Sequence, residues 1–293
     1  MSACTLCPRA CGVNRKLGER GFCRCGDLPI IARAAPHFGE EPCISGIDGS
    51  GTVFFSGCNL QCVFCQNREI SFNGRGREVS VSRLAEIFSE LEAEGVHNLN
   101  LVTATHFTDK VIEALKLAKP KIPVIWNSSA YESVETLRRL SGLVQIYMPD
   151  FKYTSNSFAL RYSGAEDYPT VAWSAILEMF RQTGAYVMDE NGLLKSGVLI
   201  RHLILPERLD DCFDVIDKIS ESFPKSSVLF SLMSQFTPLA DSAKFSELSR
   251  TISRDEYERA QSYLNLSGIE NGYFQEMSAA TTELIPSFDL TGI

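Results

Sequence analysis

No stretch of this 293-residue chain approaches the roughly 20 consecutive apolar residues needed to span a bilayer. Met1-Ser2-Ala3-Cys4 does not begin a charged and then apolar leader either, so a cytoplasmic protein with no membrane partner is expected. Positive charge is scarce: 28 Lys and Arg stand against 36 Asp and Glu, giving a net charge of −8. That balance lacks the basic footprint of nucleic-acid binding, and Arg75-Gly76-Arg77 and Arg138-Arg139 read as solvated surface. There is no internal repeat and no recognisable Ser, His, Asp triad. Beyond Cys65 cysteine is nearly absent, Cys212 being the single exception, and its place beside Val215, Ile216 and Ile219 reads as a buried apolar helix face.

The other nine cysteines crowd into the first 65 residues. Such crowding without a leader indicates metal ligation in a reducing compartment rather than a disulfide framework. Cys58, Cys62 and Cys65 form a C-x3-C-x2-C loop after Gly51-Thr52-Val53-Phe54-Phe55-Ser56-Gly57, a short buried strand ending in glycine. A closed zinc site or an ordinary ferredoxin cluster takes four thiolates, so three imply an iron-sulfur cluster with one iron open to another ligand. A second set, Cys4-x2-Cys7-x3-Cys11 followed by Cys23-x-Cys25, sits among glycines and arginines with little apolar content. Bound metal would replace the missing hydrophobic burial there. Cys4, Cys7, Cys11 and Cys23 suit a second 4Fe-4S cluster or a zinc ion, with Cys25 as a spare; without metal the segment is only a flexible lid.

From Ser80 onward helix and strand patterns alternate. Leu84, Ile87, Phe88 and Leu91 recur at helical spacing before Gly95. Strands are expected at 52–56, 98–103, 123–127, 144–148, 198–205 and 227–232. Helices are expected near 109–118, 133–140, 169–183 and 210–222, and a last one begins with the capping box Ser253-x-x-Glu256. Six alternating units imply a parallel sheet wrapped by helices. Residues 27–50 read as a linker, with Ala35-Pro36-His37-Phe38-Gly39-Glu40-Glu41-Pro42-Cys43 as a loop whose His37, Glu40 and Glu41 either face the reaction pocket or, the favoured reading, only fix the loop by hydrogen bonds. The division is therefore a cysteine-rich module and linker over 1–50 and an α/β domain over 51–293.

The cysteine loop, with Phe64 before its last cysteine and Gln66-Asn67 after it, resembles that of radical S-adenosylmethionine (radical SAM) enzymes. The whole chain, through Leu232-Met233-Ser234-Gln235-Phe236 to Asn271-Gly272-Tyr273-Phe274-Gln275-Glu276 and Ile285-Pro286-Ser287-Phe288-Asp289, is similar to the pyruvate formate-lyase activating-enzyme homologues of that superfamily, those of undetermined role. The resemblance implies a partial (β/α)6 barrel with a cysteine-rich N-terminal extension. It also implies a 4Fe-4S cluster on Cys58, Cys62 and Cys65, with S-adenosylmethionine on the open iron. Where the family has a glycine-rich turn at the second strand end, this chain has Thr103 and Thr105, whose carbonyls and hydroxyls are expected to serve. Asn127 ends the third strand. Asp150-x-Lys152 resembles the D-x-K element of activating enzymes, in which the lysine contacts S-adenosylmethionine, and Arg201 resembles an arginine that reaches the ligand.

These residues point to two functions. One is an activase that takes a hydrogen from a glycine of a glycyl radical enzyme, reduced by a flavodoxin or ferredoxin. The other is a radical SAM enzyme that modifies a small molecule or a peptide side chain. A non-catalytic iron-sulfur protein would leave Asp150, Lys152 and Arg201 without a purpose.

Overall fold

The computed structural model describes residues 3–239, 241–281 and 285–293. Its strands are β1 (Ile30–His37), β2 (Ser50–Phe55), β3 (Arg77–Glu78), β4 (Leu99–Val102), β5 (Val124–Ser128), β6 (Ile146–Pro149), β7 (Val187–Met188), β8 (Leu194–Leu203), β9 (Leu229–Met233) and β10 (Gly272–Phe274). The helices are α1 (Pro42–Ser45), α2 (Arg68–Ser71), α3 (Val81–Ala93), α4 (Thr108–Ala118), α5 (Val134–Arg138), α6 (Asn156–Ser163), α7 (Tyr168–Thr183), α8 (Leu209–Ser222) and α9 (Arg254–Leu266).

One sheet runs β10-β9-β8-β6-β5-β4-β2-β1-β3, with β7 paired to β8 alone. From β2 to β10 every neighbour on the path is parallel, whereas β1 and β3 pair antiparallel at the other edge. The end strands β10 and β3 are not paired to each other, so the barrel is open along one side. All six expected parallel strands are present. A seventh, β10, was not foreseen because three residues carry no readable period.

Alternation along the strands sorts side chains into two cores. Val124, Trp126, Tyr147, Val198, Ile200, Phe230 and Leu232 face outward under Leu84, Ile87, Phe88, Val111, Leu115, Ile176, Val215 and Ile219 of the helices. Ile125, Ile146, Met148, Leu199 and Leu229 face the lumen, where Cys43 and Ile44 of α1 pack on them. A short helix therefore plugs one end of the barrel. The expected helix at 253 begins with the full reciprocal capping box of Ser253 and Glu256.

The segment read as a linker is corrected by this arrangement. Residues 30–37 form β1, paired with β2 from Ile31–Phe55 to His37–Ser50, so a division at residue 50 cuts between two bonded strands. Ala35 and Pro36 imitate loop composition, and the pairing that overrides them is invisible in the local sequence. The chain end completes this edge: Leu290 donates its N–H to the Ala32 carbonyl, Ala34 donates to Thr291, and Phe288 packs on Phe54.

Gly272 in β10 has φ +153°, and a Cβ there would run into the backbone of Phe230. Only glycine fits so close an approach. Gly272→Ala is expected to lower unfolding free energy by about 1–3 kcal/mol, the size of a strained backbone position. Denaturant melting checks this, and an unchanged midpoint would contradict the stated packing.

Candidate active site

The carboxyl ends of the parallel strands surround a cavity of about 440 Å³. Cys58, Cys62, Cys65 and Phe64 line it, as do Thr103, Asn127, Asp150, Lys152 and Arg201. Thr105 does not: it is buried behind the sheet, where its hydroxyl donates to Glu132 at 2.6 Å. Of the two threonines the structure brings only Thr103 to the cavity. Thr103 has φ +61°, a left-handed conformation unusual for a β-branched residue, and its N–H donates to the Asn127 carbonyl. This chain thus forces on a threonine the backbone that a glycine adopts freely, and such strain concentrates at functional sites.

The cysteine loop leaves β2 through Gly57, whose φ of +82° and contact with Cys23 and Cys25 leave no room for a Cβ. Asn59 fixes its first turn by donating to the Tyr131 carbonyl at 2.7 Å, and Val63 N–H donates to Tyr162 at 2.9 Å. Phe64 lies edge-on between Tyr153 and Phe236. Each sulfur accepts one hydrogen bond: Cys58 from Leu60 N–H at 3.3 Å, Cys62 from the Ser163 hydroxyl at 3.0 Å, and Cys65 from the Ser71 hydroxyl at 3.3 Å. Sequence reasoning missed Ser71 and Ser163, since neither stands in a motif.

Burial raises the Cys58 thiol and pushes the Cys62 thiol up to about 12. Iron binding must therefore displace protons, which makes loading pH-dependent. Among the described residues, no three His, Cys, Asp or Glu side chains converge to hold a single metal ion, this loop included. The sulfurs around a cubane stand farther apart than those on one ion, because its irons and sulfides lie between them. Three thiolates, each with a hydrogen-bond donor, facing a cavity, fit such a cluster.

Opposite the thiols lies a buried ionic network. Arg201 donates Nε–H to Asp150 at 2.9 Å, an Nη1–H to Glu40 at 3.0 Å and an Nη2–H to Asn127 at 2.8 Å. Lys152 donates to the second Asp150 oxygen at 2.8 Å. Burial acts against every charge here, yet Arg201 and Lys152 hold the Asp150 carboxyl below its usual range, and Asp150 in turn holds Lys152 above its own. Glu40 also accepts from Asn100 and Asn127. Glu41 is 4.0 Å from Arg201, and its Oε2 is buried without a hydrogen-bond partner. Glu40 does more than fix a loop, because it anchors the arginine of the site. The cations suit a ligand carboxylate, and the strained Thr103 turn exposes backbone to a ligand amine. Lys152, Arg201, Asp150, Asn127 and Thr103 are the residues that would hold S-adenosylmethionine.

The sequence model of the radical SAM superfamily matches residues 52–182, which span the cysteine loop, Thr103, Asn127, Asp150 and Lys152. An uncharacterized protein of Methanocaldococcus jannaschii is 30% identical over 267 residues, covering 88% of this chain and 72% of that protein. The chain belongs to the radical SAM superfamily.

The solved structures that align are more distant. SuiB of Streptococcus suis bound to its precursor peptide SuiA aligns with TM-score 0.49 and 11% identity over 75% of this chain and 46% of that one. SuiB bound to S-adenosylmethionine aligns with TM-score 0.47 and 13% identity over 81% and 49%. This chain therefore spans about half the length of SuiB. A domain of a pyruvate-formate lyase-activating enzyme from Bacteroides vulgatus aligns with TM-score 0.35 and 12% identity over 66% and 90%.

One buried carboxyl behind the site gives a pH signature. Glu132 accepts from Thr105 and from Trp126 Nε1–H at 3.1 Å, but burial raises it to about 7. Below its unfolded value near 4.5 both states hold the proton, and the neutral form's contribution is fully present. As pH rises through 7 the folded state must ionise a buried group, so that contribution is lost. The Glu132→Gln variant should lose this pH dependence and gain on the order of 3 kcal/mol relative to its parent between pH 4.5 and pH 8. Melting curves at both pH values test it, and parallel profiles would show that folding does not raise the Glu132 carboxyl.

Proposed function

We propose that this radical SAM enzyme acts on a polypeptide, abstracting hydrogen from a backbone glycine of a glycyl radical enzyme, with a flavodoxin or ferredoxin as electron donor. The superfamily's chemistry is reductive cleavage of S-adenosylmethionine, on a 4Fe-4S cluster, to a 5'-deoxyadenosyl radical. A radical needs no general base, so the residues named above are asked for position rather than proton transfer. The observation that supports a polypeptide substrate is the open barrel: β10 and β3 are not paired with each other, and Tyr273, Phe274, Gln275 and Pro286 of the tail line the large cavity beside β10. Among the described residues no helix is long and apolar enough to cross a membrane. All ten cysteines are free, which accords with the reducing compartment that a low-potential cluster requires and with placement in the cytoplasm.

A second reading, action on a small molecule, is favoured by the polar lumen floor of Glu40, Glu41, Asn100 and Ser231. Anaerobic incubation with S-adenosylmethionine, dithionite and candidate glycyl radical enzymes separates the two. A glycyl doublet in electron spin resonance is the expected result. Formation of 5'-deoxyadenosine with no protein radical on any candidate would sink the activase reading in favour of the second.

Replacing Cys58, Cys62 and Cys65 together by alanine should abolish 5'-deoxyadenosine formation, measured by chromatography after anaerobic reconstitution. Cleavage persisting in that variant would place the reaction elsewhere.

A further inference from the structure

The N-terminal module is docked on the outer side of the cysteine loop, and several of its contacts are with the loop itself. Arg9 donates Nε–H to the carbonyl of Asn59, which directly follows Cys58, at 2.9 Å, and reaches the carbonyls of Gly164 at 2.8 Å and Ser163 at 3.3 Å. Gln61 of the loop donates back to the Phe22 carbonyl at 3.0 Å. Cys25 donates its thiol hydrogen to the carbonyl of Ser56, at the start of the loop, at 3.4 Å. Cys7 lies beside Asn59, and Cys4 beside Cys11. Arg15 donates to the Cys23 sulfur at 2.9 Å and also to the His106 carbonyl.

The layer between module and barrel is polar and incompletely satisfied. Among the described residues six buried side-chain polar atoms lack a partner, and four of them, Arg15 Nε, Asn59 Oδ1, His106 Nδ1 and Glu132 Oε2, lie here. Buried polar atoms are normally paired, so such a concentration marks a place where a group belongs. Cys23 and Cys7 are buried, whereas Cys11 is exposed at the outer face. Cys25 spends its hydrogen on Ser56 and Cys23 carbonyls, which leaves Cys23 as the fourth thiol of the set.

We propose that Cys4, Cys7, Cys11 and Cys23 hold a second iron-sulfur cluster, and that it delivers electrons to the cluster on Cys58, Cys62 and Cys65. Iron-sulfur rather than zinc is the redox-active choice: the module packs on the loop of Cys58, through Arg9 on the Asn59 carbonyl and Gln61 on the Phe22 carbonyl, where zinc, which has no redox chemistry, could carry no electron. Arg9, Arg15, Lys16, Arg20 and Arg24 outnumber Glu19 and Asp27 in this segment and offset the thiolate charge. Each transfer moves one electron. A reduced one-electron carrier of the ferredoxin or flavodoxin class is oxidised at the Cys11 face, the second cluster is reduced, and it is reoxidised as the catalytic cluster takes the electron; no bond forms or breaks. The delivery step rests on the radical SAM reading of the cavity.

The full chain, reconstituted anaerobically, should carry about eight irons. About four should remain in the Cys58→Ala, Cys62→Ala, Cys65→Ala variant and about four in Cys4→Ala, Cys7→Ala, while Cys25→Ser keeps all eight. Reduction of the catalytic cluster by reduced flavodoxin, followed by rapid-freeze electron spin resonance, should slow at least tenfold in Cys4→Ala, Cys7→Ala, whereas dithionite still reduces it fully. If that double variant does not fold, Cys11→Ser supplies the same two readouts. One zinc per chain, no iron in the catalytic-loop triple variant, or unchanged flavodoxin kinetics would each overturn the proposal. A triple variant with the parent's full iron content would instead overturn the reading of the cavity.

Discussion

The site depends on one buried guanidinium. Arg201 lies at the end of β8 and binds Asp150 after β6, Asn127 of β5 and Glu40 of the connection into α1. A buried charge is tolerable only when paired and hydrogen-bonded, so each of these acceptors must stay where it is. The arginine thereby ties two other strand ends and the lumen segment together, and Lys152 joins through the second oxygen of Asp150. Two cations face three carboxylates, and the third, Glu41, has its carboxyl raised by burial against the opposing pull of the Arg201 guanidinium 4.0 Å away and of Ser231. The cavity is thus charged and ordered before any ligand enters, which is how binding energy is kept for positioning rather than for rearrangement.

That network sets one wall, and the thiols set the other. The loop carrying them has no regular secondary structure, so its shape comes from outside contacts: Tyr131 and Tyr162 carbonyls accept from Asn59 and Val63, and aromatic rings hold Phe64. Hydrogen bonds to cluster sulfurs shift reduction potential, and here two of the three come from hydroxyls on α2 and α6. The supports are therefore built by parts of the chain far apart in sequence. Ser163 lies 101 residues from the sulfur it serves.

Sequence patterns disclosed what depends on short spacing. The cysteine loop, the alternation of helix and strand, the capping box at Ser253 and the polar strand ends at Asn127, Asp150, Lys152 and Arg201 are local features, and each could be read directly. What escaped is non-local. β1 escaped because its strand character comes from pairing with β2, and β10 because it is too short to show a period. Thr105 looked like Thr103 two residues away, but the left-handed turn at Thr103 sends the chain behind the sheet, where Thr105 meets Glu132. Glu40 was legible as polar but not as a partner of Arg201, 161 residues on.

The N-terminal module and the catalytic loop share two anchoring residues, and this couples them even before electrons are considered. Arg9 binds the Asn59 carbonyl and the Ser163 carbonyl; Asn59 follows Cys58, and the Ser163 hydroxyl donates to Cys62. Its guanidinium also stacks 4.0 Å over Phe22 and 5.2 Å over Tyr131, the residue that accepts from Asn59. Ordering the first 25 residues costs on the order of 1–2 kcal/mol each in backbone entropy, and few apolar side chains are buried there in return. Whatever orders the module therefore also positions the carbonyls and the hydroxyl that shape the catalytic loop. Loss of order at the N-terminus would be felt first at Cys58 and Cys62, the two sulfurs tied to Asn59 and Ser163, and least at Cys65, whose donor lies on α2.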